Sequence, residues 1–252
     1  MPFLNVQGNK VYYSQNGNYR TDRPTILFIH GAGGSCSNWA HQLTRIKGYN
    51  LIAPDLPGHG LSQGSAADLI SAYREFIWMF AQALDQGPYV IVGHSMGGAI
   101  TMELALTYPD ILKGQIIVDS GARLRVNPDI LAMLSRNEHP LEMVKYSYSL
   151  TAPQEVLEHA SVEMKKVPTE VYLRDFRACD KFNIIDRVRS INIPTLIICG
   201  QDDQMTPVKY SEFLSNELRR STIVLISNAG HMSMIEQPEQ VNKSIMDFLV
   251  HV

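Results

Sequence analysis

Three residue types that together perform acyl transfer sit, in this chain, beside glycines at the ends of apolar runs. Ser95 lies in Gly93-His94-Ser95-Met96-Gly97, directly after Tyr89-Val90-Ile91-Val92 and just before an Ala-rich helical pattern that begins at Ala99. A strand that turns at once into a helix forces its corner residue into a strained conformation. Flanking glycines remove the side chains that would collide there. The Ser95 hydroxyl is then expected to stand over the carboxyl edge of a sheet, next to a helix N-terminus. Such a serine becomes a nucleophile when three further parts are present: a base, a group that orients the base, and donors for the developing oxyanion.

The base candidate is His231, in Asn228-Ala229-Gly230-His231-Met232, just past the last apolar run at 221–226. Of the eight histidines, His30 and His94 adjoin glycine-rich loops but are fixed at strand ends, and His59 sits in a tight Gly-rich turn. His41, His139, His159 and His251 read as ordinary surface residues. The orienting carboxylate should follow the preceding apolar run, where the chain reads Cys199-Gly200-Gln201-Asp202-Asp203-Gln204-Met205-Thr206-Pro207. Asp202 and Asp203 both suit, and spacing alone does not separate them. Asp119 ends an earlier run, and its plainer role is to tie down the chain that follows. One oxyanion donor is the Met96 N–H. The second is expected from His30-Gly31-Ala32-Gly33-Gly34, with Ala32 first and Gly33 as the fallback. Losing one such donor typically costs about 10²–10³ in rate.

The elements that must position these groups follow from apolar patterning. Residues 3–6 and 10–15 flank Gln7-Gly8-Asn9 and read as an opening hairpin. Continuous apolar runs at 25–30, 49–54, 89–92, 114–118, 194–199 and 221–226 suit strands covered on both faces. Helical patterns at 66–84, 99–108 and 208–218 alternate with them. The expected fold class is therefore α/β, a mostly parallel central sheet flanked by helices. From 121 to 189 no strand pattern appears, only helix-like pieces punctuated by Pro128, Pro140, Pro153 and Pro168. Thr151-Ala152-Pro153-Gln154 has the form of a capping box. This stretch reads as an inserted helical cap (121–189) on a core formed by 1–120 and 190–252. Its Met and Tyr residues, Tyr146 among them, are expected to serve the cap's own core more than a ligand.

Composition narrows the function classes. With 252 residues, 45% hydrophobic and 19% charged, the chain can bury a full core. A net charge of −3 leaves no basic footprint for nucleic acid. No apolar run approaches the roughly 20 residues that span a bilayer. No secretory signal is evident at the start, so a cytoplasmic setting is expected, with a monomer or homodimer as the assembly. Three cysteines without zinc or C-x-x-C spacing read as idle buried thiols. No metal-ligand cluster and no dinucleotide-binding G-x-G-x-x-G is present, so neither metal nor cofactor is expected.

Taken in the order Ser, Asp, His, these residues resemble the α/β-hydrolase superfamily over nearly the whole chain. The resemblance rests on the His30-Gly31 turn, Trp39, Asp55-Leu56-Pro57-Gly58-His59-Gly60, the Ser95 corner and the final Gly230-His231 pair. The stretch from Asp180 to Asp186 leading into Ile193-Pro194-Thr195 also belongs to it. In that superfamily the acid is the fourth residue of G-x-x-D-x-x-x-P. Gly200 and Pro207 fix this register, so the resemblance selects Asp203. The turn at Asp55 is then structural. The likeness is to the small cap-bearing subgroup of carboxylesterases, enol-lactonases, meta-cleavage-product hydrolases and cofactor-free haloperoxidases. Haloalkane dehalogenases and epoxide hydrolases carry aspartate where Ser95 stands.

The resemblance implies a serine hydrolase of small carboxylic esters, with Ser95, Asp203 and His231 as catalytic residues and Ala32 and Met96 as the oxyanion hole. Gly33, Trp39, Tyr146 and Met232 are the expected substrate contacts. A neutral imidazole base implies activity rising with pH through a pKa near 6–7, about the ordinary value. Two rivals stand beside this expectation. One is a carbon–carbon bond hydrolase or lyase for a carboxylated dienone, with Arg123 and Arg125 as the cations such a substrate needs. The other is a slow-turnover ligand receptor.

Overall fold

The computed structural model describes residues 2–252. After the hairpin β1 (Phe3–Val6) and β2 (Asn9–Gln15) come β3 (Thr25–Ile29), a short helix α1 (Ala40–Arg45) and β4 (Asn50–Pro54). Next are α2 (Ile70–Leu84), β5 (Tyr89–His94), α3 (Met96–Thr107) and β6 (Leu112–Val118). The chain then leaves the sheet for four helices, α4 (Pro128–Ser135), α5 (Met143–Ser147), α6 (Gln154–Lys166) and α7 (Thr169–Lys181). It returns through β7 (Thr195–Gly200), α8 (Val208–Glu217), β8 (Ser221–Ile226), α9 (Ser233–Glu236) and α10 (Pro238–Leu249). The strands form one sheet in the order β1-β2-β4-β3-β5-β6-β7-β8. The β1–β2 and β2–β4 pairs are antiparallel, and all others are parallel.

Every residue of β3, β4, β5 and β7 is buried, as unbroken apolar runs demand of strands with helices on both sides. Alternate residues along each strand supply opposite layers. Leu27, Ile29, Ile91, Ile117 and Ile197 pack with α2, α3 and α8, while Ile26, Phe28, Val92, Val118 and Ile198 pack with α1, α9 and α10. The four-helix excursion has its own smaller core, including Leu134, Val144, Met164, Tyr172 and Phe176, against which Ala32 and Met232 rest. Its two ends meet in an antiparallel bridge between Arg123 and Asn183. Among the described residues no helix is long and apolar enough to cross a membrane.

Several boundaries differ from the patterning. α2 starts at Ile70, not 66, because the chain before it turns and the Ala67 N–H binds the Tyr73 hydroxyl at 2.9 Å. α3 begins immediately after Ser95, where two glycines hid the periodicity. The capping box at Thr151 does not form. α6 starts at Gln154 with Pro153 at its cap, and the Ala152 N–H instead closes a turn on the Ser149 carbonyl at 3.0 Å. The patterning omitted α10, whose buried Val241, Ile245 and Leu249 recur every fourth residue. All three cysteines are free and buried.

The corner after β5 is the tightest place in the sheet. A Cβ on Gly97 would overlap the Ile29 carbonyl and lie 2.8 Å from the His30 carbonyl oxygen. The obstacle is backbone, which has no rotamer to yield. Gly97→Ala is expected to destabilise the protein by about 1–3 kcal/mol, a loss of roughly 2–12 °C in Tm that thermal unfolding would register.

Candidate active site

Ser95 sits at the corner with φ +52° and ψ −115°, a left-handed conformation that non-glycine residues rarely hold. The surroundings over-determine it. Its N–H binds the Val118 carbonyl at 3.0 Å, and its carbonyl accepts from Gly98, Ala99 and the Ser120 hydroxyl. Glycines at 93 and 97 let the strand and the helix touch, since a Cβ at Gly93 would overlap the Gly97 carbonyl. The half-buried Ser95 side chain is thereby presented to a cavity of about 1060 Å³ beneath the helical excursion.

His231 lines the same cavity and is buried. Its Nδ1 lies 2.9 Å from Asp203 Oδ2, so Nδ1 carries the donated proton and Nε2 is left as an acceptor. Asp203 is also held by the Met205 and Thr206 N–H groups at 2.8 and 2.9 Å and by the Thr206 hydroxyl at 2.8 Å. Burial alone would raise its pKa, but the His231 imidazole and these donors bring it down to about 2. Burial likewise lowers His231, yet the charge and hydrogen bond of Asp203 outweigh it and leave the imidazole raised above its ordinary value. Among the described residues no hydrogen bond joins Ser95 Oγ to His231. Contacts of this kind are often long in ligand-free sites and tighten on substrate.

The neighbouring histidines are held neutral. His94 is driven down to about 3 by burial and by His231, and its Nε2–H donates to the His231 carbonyl at 2.8 Å. Burial and the nearby His59 keep His30 well below its ordinary value. Its Nδ1–H donates to the Gly31 carbonyl, and Nε2 accepts from Leu56 N–H. Glu236 accepts from the Gly230 and Ser149 N–H groups, both at 2.8 Å, and so ties the His231 loop to the excursion.

The two oxyanion candidates in the glycine loop are now distinguishable. The Gly33 N–H is used internally, donating to Asp175 Oδ2 at 2.8 Å, whereas the Ala32 N–H has no acceptor among the described residues. The Met96 N–H opens α3 and is one of the helix's unpaired first-turn donors, reinforced by the helix dipole.

Among the described residues Asp119 makes no hydrogen bond to His231. Its oxygens accept from Gly200 N–H at 2.8 Å and from the Ser233 N–H and hydroxyl at 3.3 and 2.5 Å. It ties β7 to the start of α9. Burial and the charge of Asp203 raise its pKa to about 8. Donor atoms of Asp119, Cys199 and Asp203 lie within 4.8 Å of one another. The carboxylates are already occupied by N–H and O–H donors, and burial pushes the Cys199 thiol up to about 12, so this group is a poor fit for a metal ion.

Residues 26–244 match a family model described as the alpha/beta hydrolase family. The chain belongs to that family. It is 29% identical over 255 residues to Lipase 3 of Moraxella sp. (strain TA144), covering 92% of this chain and 78% of that one. A thermophilic esterase superposes with a TM-score of 0.86 at 32% identity, covering 99% of this chain and 96% of the other. An enol-lactonase from Burkholderia xenovorans has a TM-score of 0.90 at 22% identity, with coverage of 99% and 100%, and shares the fold.

Within this α/β hydrolase the expected substrate contacts divide. Gly33 and Met232 line the cavity. Trp39 does not: it is wholly buried under the sheet, its ring 5.1 Å from that of Phe28. Tyr146 is 53% exposed and lies outside the cavity lining, because the short α5 turns Val144 inward instead. Arg123 and Arg125 are also misplaced for a substrate carboxylate, since they border a separate cleft with Lys209, Tyr210 and Phe213. Tyr148, Tyr172 and Phe176 join the excursion's core, as patterning expects of that stretch, but they also form the cavity wall, which patterning did not assign to them. Patterning also gave no role to Asp175. The i+3, i+4 spacing of Tyr172, Asp175 and Phe176 on one helix face was the available signal.

Replacing the acid isolates its effect on the imidazole. In Asp203→Asn the burial of His231 remains and the compensating charge is lost. NMR titration should therefore show the imidazole pKa moving from above its ordinary value to lower pH.

Proposed function

We propose that this α/β hydrolase is a carboxylesterase, with Ser95 as nucleophile, His231 as base and Asp203 orienting it. The observation that supports this most is the buried Asp203–His231 pair opening onto the cavity that the strained Ser95 corner faces. His231 Nε2 takes the Ser95 proton as Oγ attacks the ester carbonyl. The Ala32 and Met96 N–H groups receive the tetrahedral oxyanion. The carbon–oxygen ester bond then breaks, and the alcohol leaves with the proton from Nε2. Water, deprotonated by the same nitrogen, attacks the acyl-enzyme, releases the acid and restores Ser95. Asp203 stays ionised throughout, as its low pKa allows.

The walls favour an apolar acyl group. Met143, Val144, Tyr148, Met164, Tyr172 and Phe176 face the cavity, whose volume of about 1060 Å³ holds far more than an acetyl group. In this reading residues 121–189 act as the cap that screens the reacting carbonyl from water. The carbon–carbon cleavage alternative loses its proposed cations, which lie in the other cleft.

A panel of 4-nitrophenyl esters of graded chain length tests the proposal. Hydrolysis should favour medium over acetyl chains, and Ser95→Ala should lose about 10⁴-fold or more in kcat. Parental turnover in Ser95→Ala would sink the reading. Asp203→Asn should lose about 10⁴-fold, while Asp202→Asn should stay within about threefold of the parent. Because the base must be neutral and its pKa is raised, kcat/KM should climb with pH through a value above the ordinary 6.5 of histidine. A pH–rate profile on one ester checks the sign.

A further inference from the structure

We propose that Asp175 is a positioning residue for the oxyanion loop, holding the 31–34 turn from the opposite side so that the Ala32 N–H stays available beside Ser95. The inference rests on the esterase reading above. Asp175 is fully buried on α7, within the excursion and 142 residues from Gly33 in sequence. Its Oδ2 accepts the Gly33 N–H at 2.8 Å and faces His59 Nε2 at the same distance, while Oδ1 accepts the Tyr73 hydroxyl.

His59 explains how a bare carboxylate survives there. Its Nδ1 lies 3.0 Å from the Pro57 carbonyl and its Nε2 faces Asp175. Both partners only accept, so both ring nitrogens carry protons and the imidazole is cationic. Burial lowers its pKa, but the Asp175 hydrogen bond and charge, with the Pro57 carbonyl, leave it raised. The result is a dry ion pair, and such a pair is rarely worth more to stability than apolar packing of the same volume. What it supplies here is direction. The backbone of Gly33 is pulled toward α7, and its positive φ of +63° brings it so close that a Cβ would overlap the Tyr172 ring. The Gly34 N–H closes the turn on the Gly31 carbonyl at 3.1 Å. Gly31 in turn abuts the nucleophile, since a Cβ on it would lie 3.2 Å from Ser95 Cβ. A rigid path thus runs from α7 through the loop to Ser95. Oxyanion donors lose effect when displaced by a fraction of an ångström, so the pull of Asp175 on Gly33 bears on the transition state.

The test is Asp175→Asn, which keeps the shape and removes the charge that holds His59 protonated. Active sites are first counted by titration with a fluorophosphonate, so that misfolded protein drops out of the rate. Expected is a fall in kcat per titrated site of about 10–10²-fold on a 4-nitrophenyl ester, with KM moving less than about threefold. A merely structural Asp175 would lower Tm and the titratable fraction and leave kcat per site within about threefold, which overturns the proposal. If Asp175→Asn does not fold, Tyr73→Phe removes one support of the carboxylate and should lower kcat per site by about 2–10-fold. An unchanged value there overturns it equally. Failure of the esterase reading has its own signature, full turnover in Ser95→Ala and no stoichiometric phosphonate labelling, and the proposal then falls with it.

Discussion

The interaction on which the rest of the site depends is the contact between β5 and α3 at the corner where Ser95 sits. Strand and helix approach so closely there that the Gly97 carbonyl occupies the space a side chain would need at Gly93, while the Ile29 and His30 carbonyls at the end of β3 do the same at Gly97. The left-handed φ of Ser95 follows from that closeness, and so does the direction of its hydroxyl. Hydrogen bonds from Ser95 N–H to β6 and from the Ser120 hydroxyl to the Ser95 carbonyl keep the strained residue from relaxing. A strained conformation persists only where neighbours forbid the alternatives, and the sheet supplies them.

Around this corner the chain handles buried charge in two ways. Asp203 is ionised because N–H and O–H donors surround it and an imidazole faces it. Asp119, one strand away, has fewer donors and a negative neighbour, and its pKa goes up instead. The histidines divide likewise. His30 and His94 each have one acceptor and one other edge, and stay neutral, while His59 between two acceptors is charged. Environment, not residue type, sets the proton count at each position.

The Ser95 corner and the alternation of strands with helices could be read from local pattern, while Asp203 was selected by the family resemblance. The corner and the alternation depend on short-range chemistry: glycines where backbones touch and apolar runs where helices cover both faces. What eluded the sequence depends on distant parts of the chain. Trp39 looked like a pocket aromatic but packs against Phe28 beneath the sheet. Arg123 and Arg125 stand at the entry to the excursion, yet their environment comes from α8. The local signal of Asp175 is confined to its place on one helix face with Tyr172 and Phe176, since its partners lie far off at Gly33, His59 and Tyr73. Neither Asp202 nor Asp203 was favoured by spacing alone. The structure distinguishes them, with Asp203 buried and bonded to His231.

The excursion between β6 and β7 leaves and rejoins the sheet at one paired point, Arg123 with Asn183. It could therefore be exchanged for a different cover without disturbing a single strand pairing. Several contacts attach it, though, and two of them are buried plugs beside the site: Asp175 into the glycine loop, and the Ser149 N–H into Glu236 beside His231. A transplanted cover lacking the first would strand the Gly33 amide and the His59 cation in a dry interior, and one lacking the second would loosen the histidine loop. Modularity in this molecule is thus limited by what the site's own sockets demand: a cover must bring an acid for the glycine loop and an amide for Glu236.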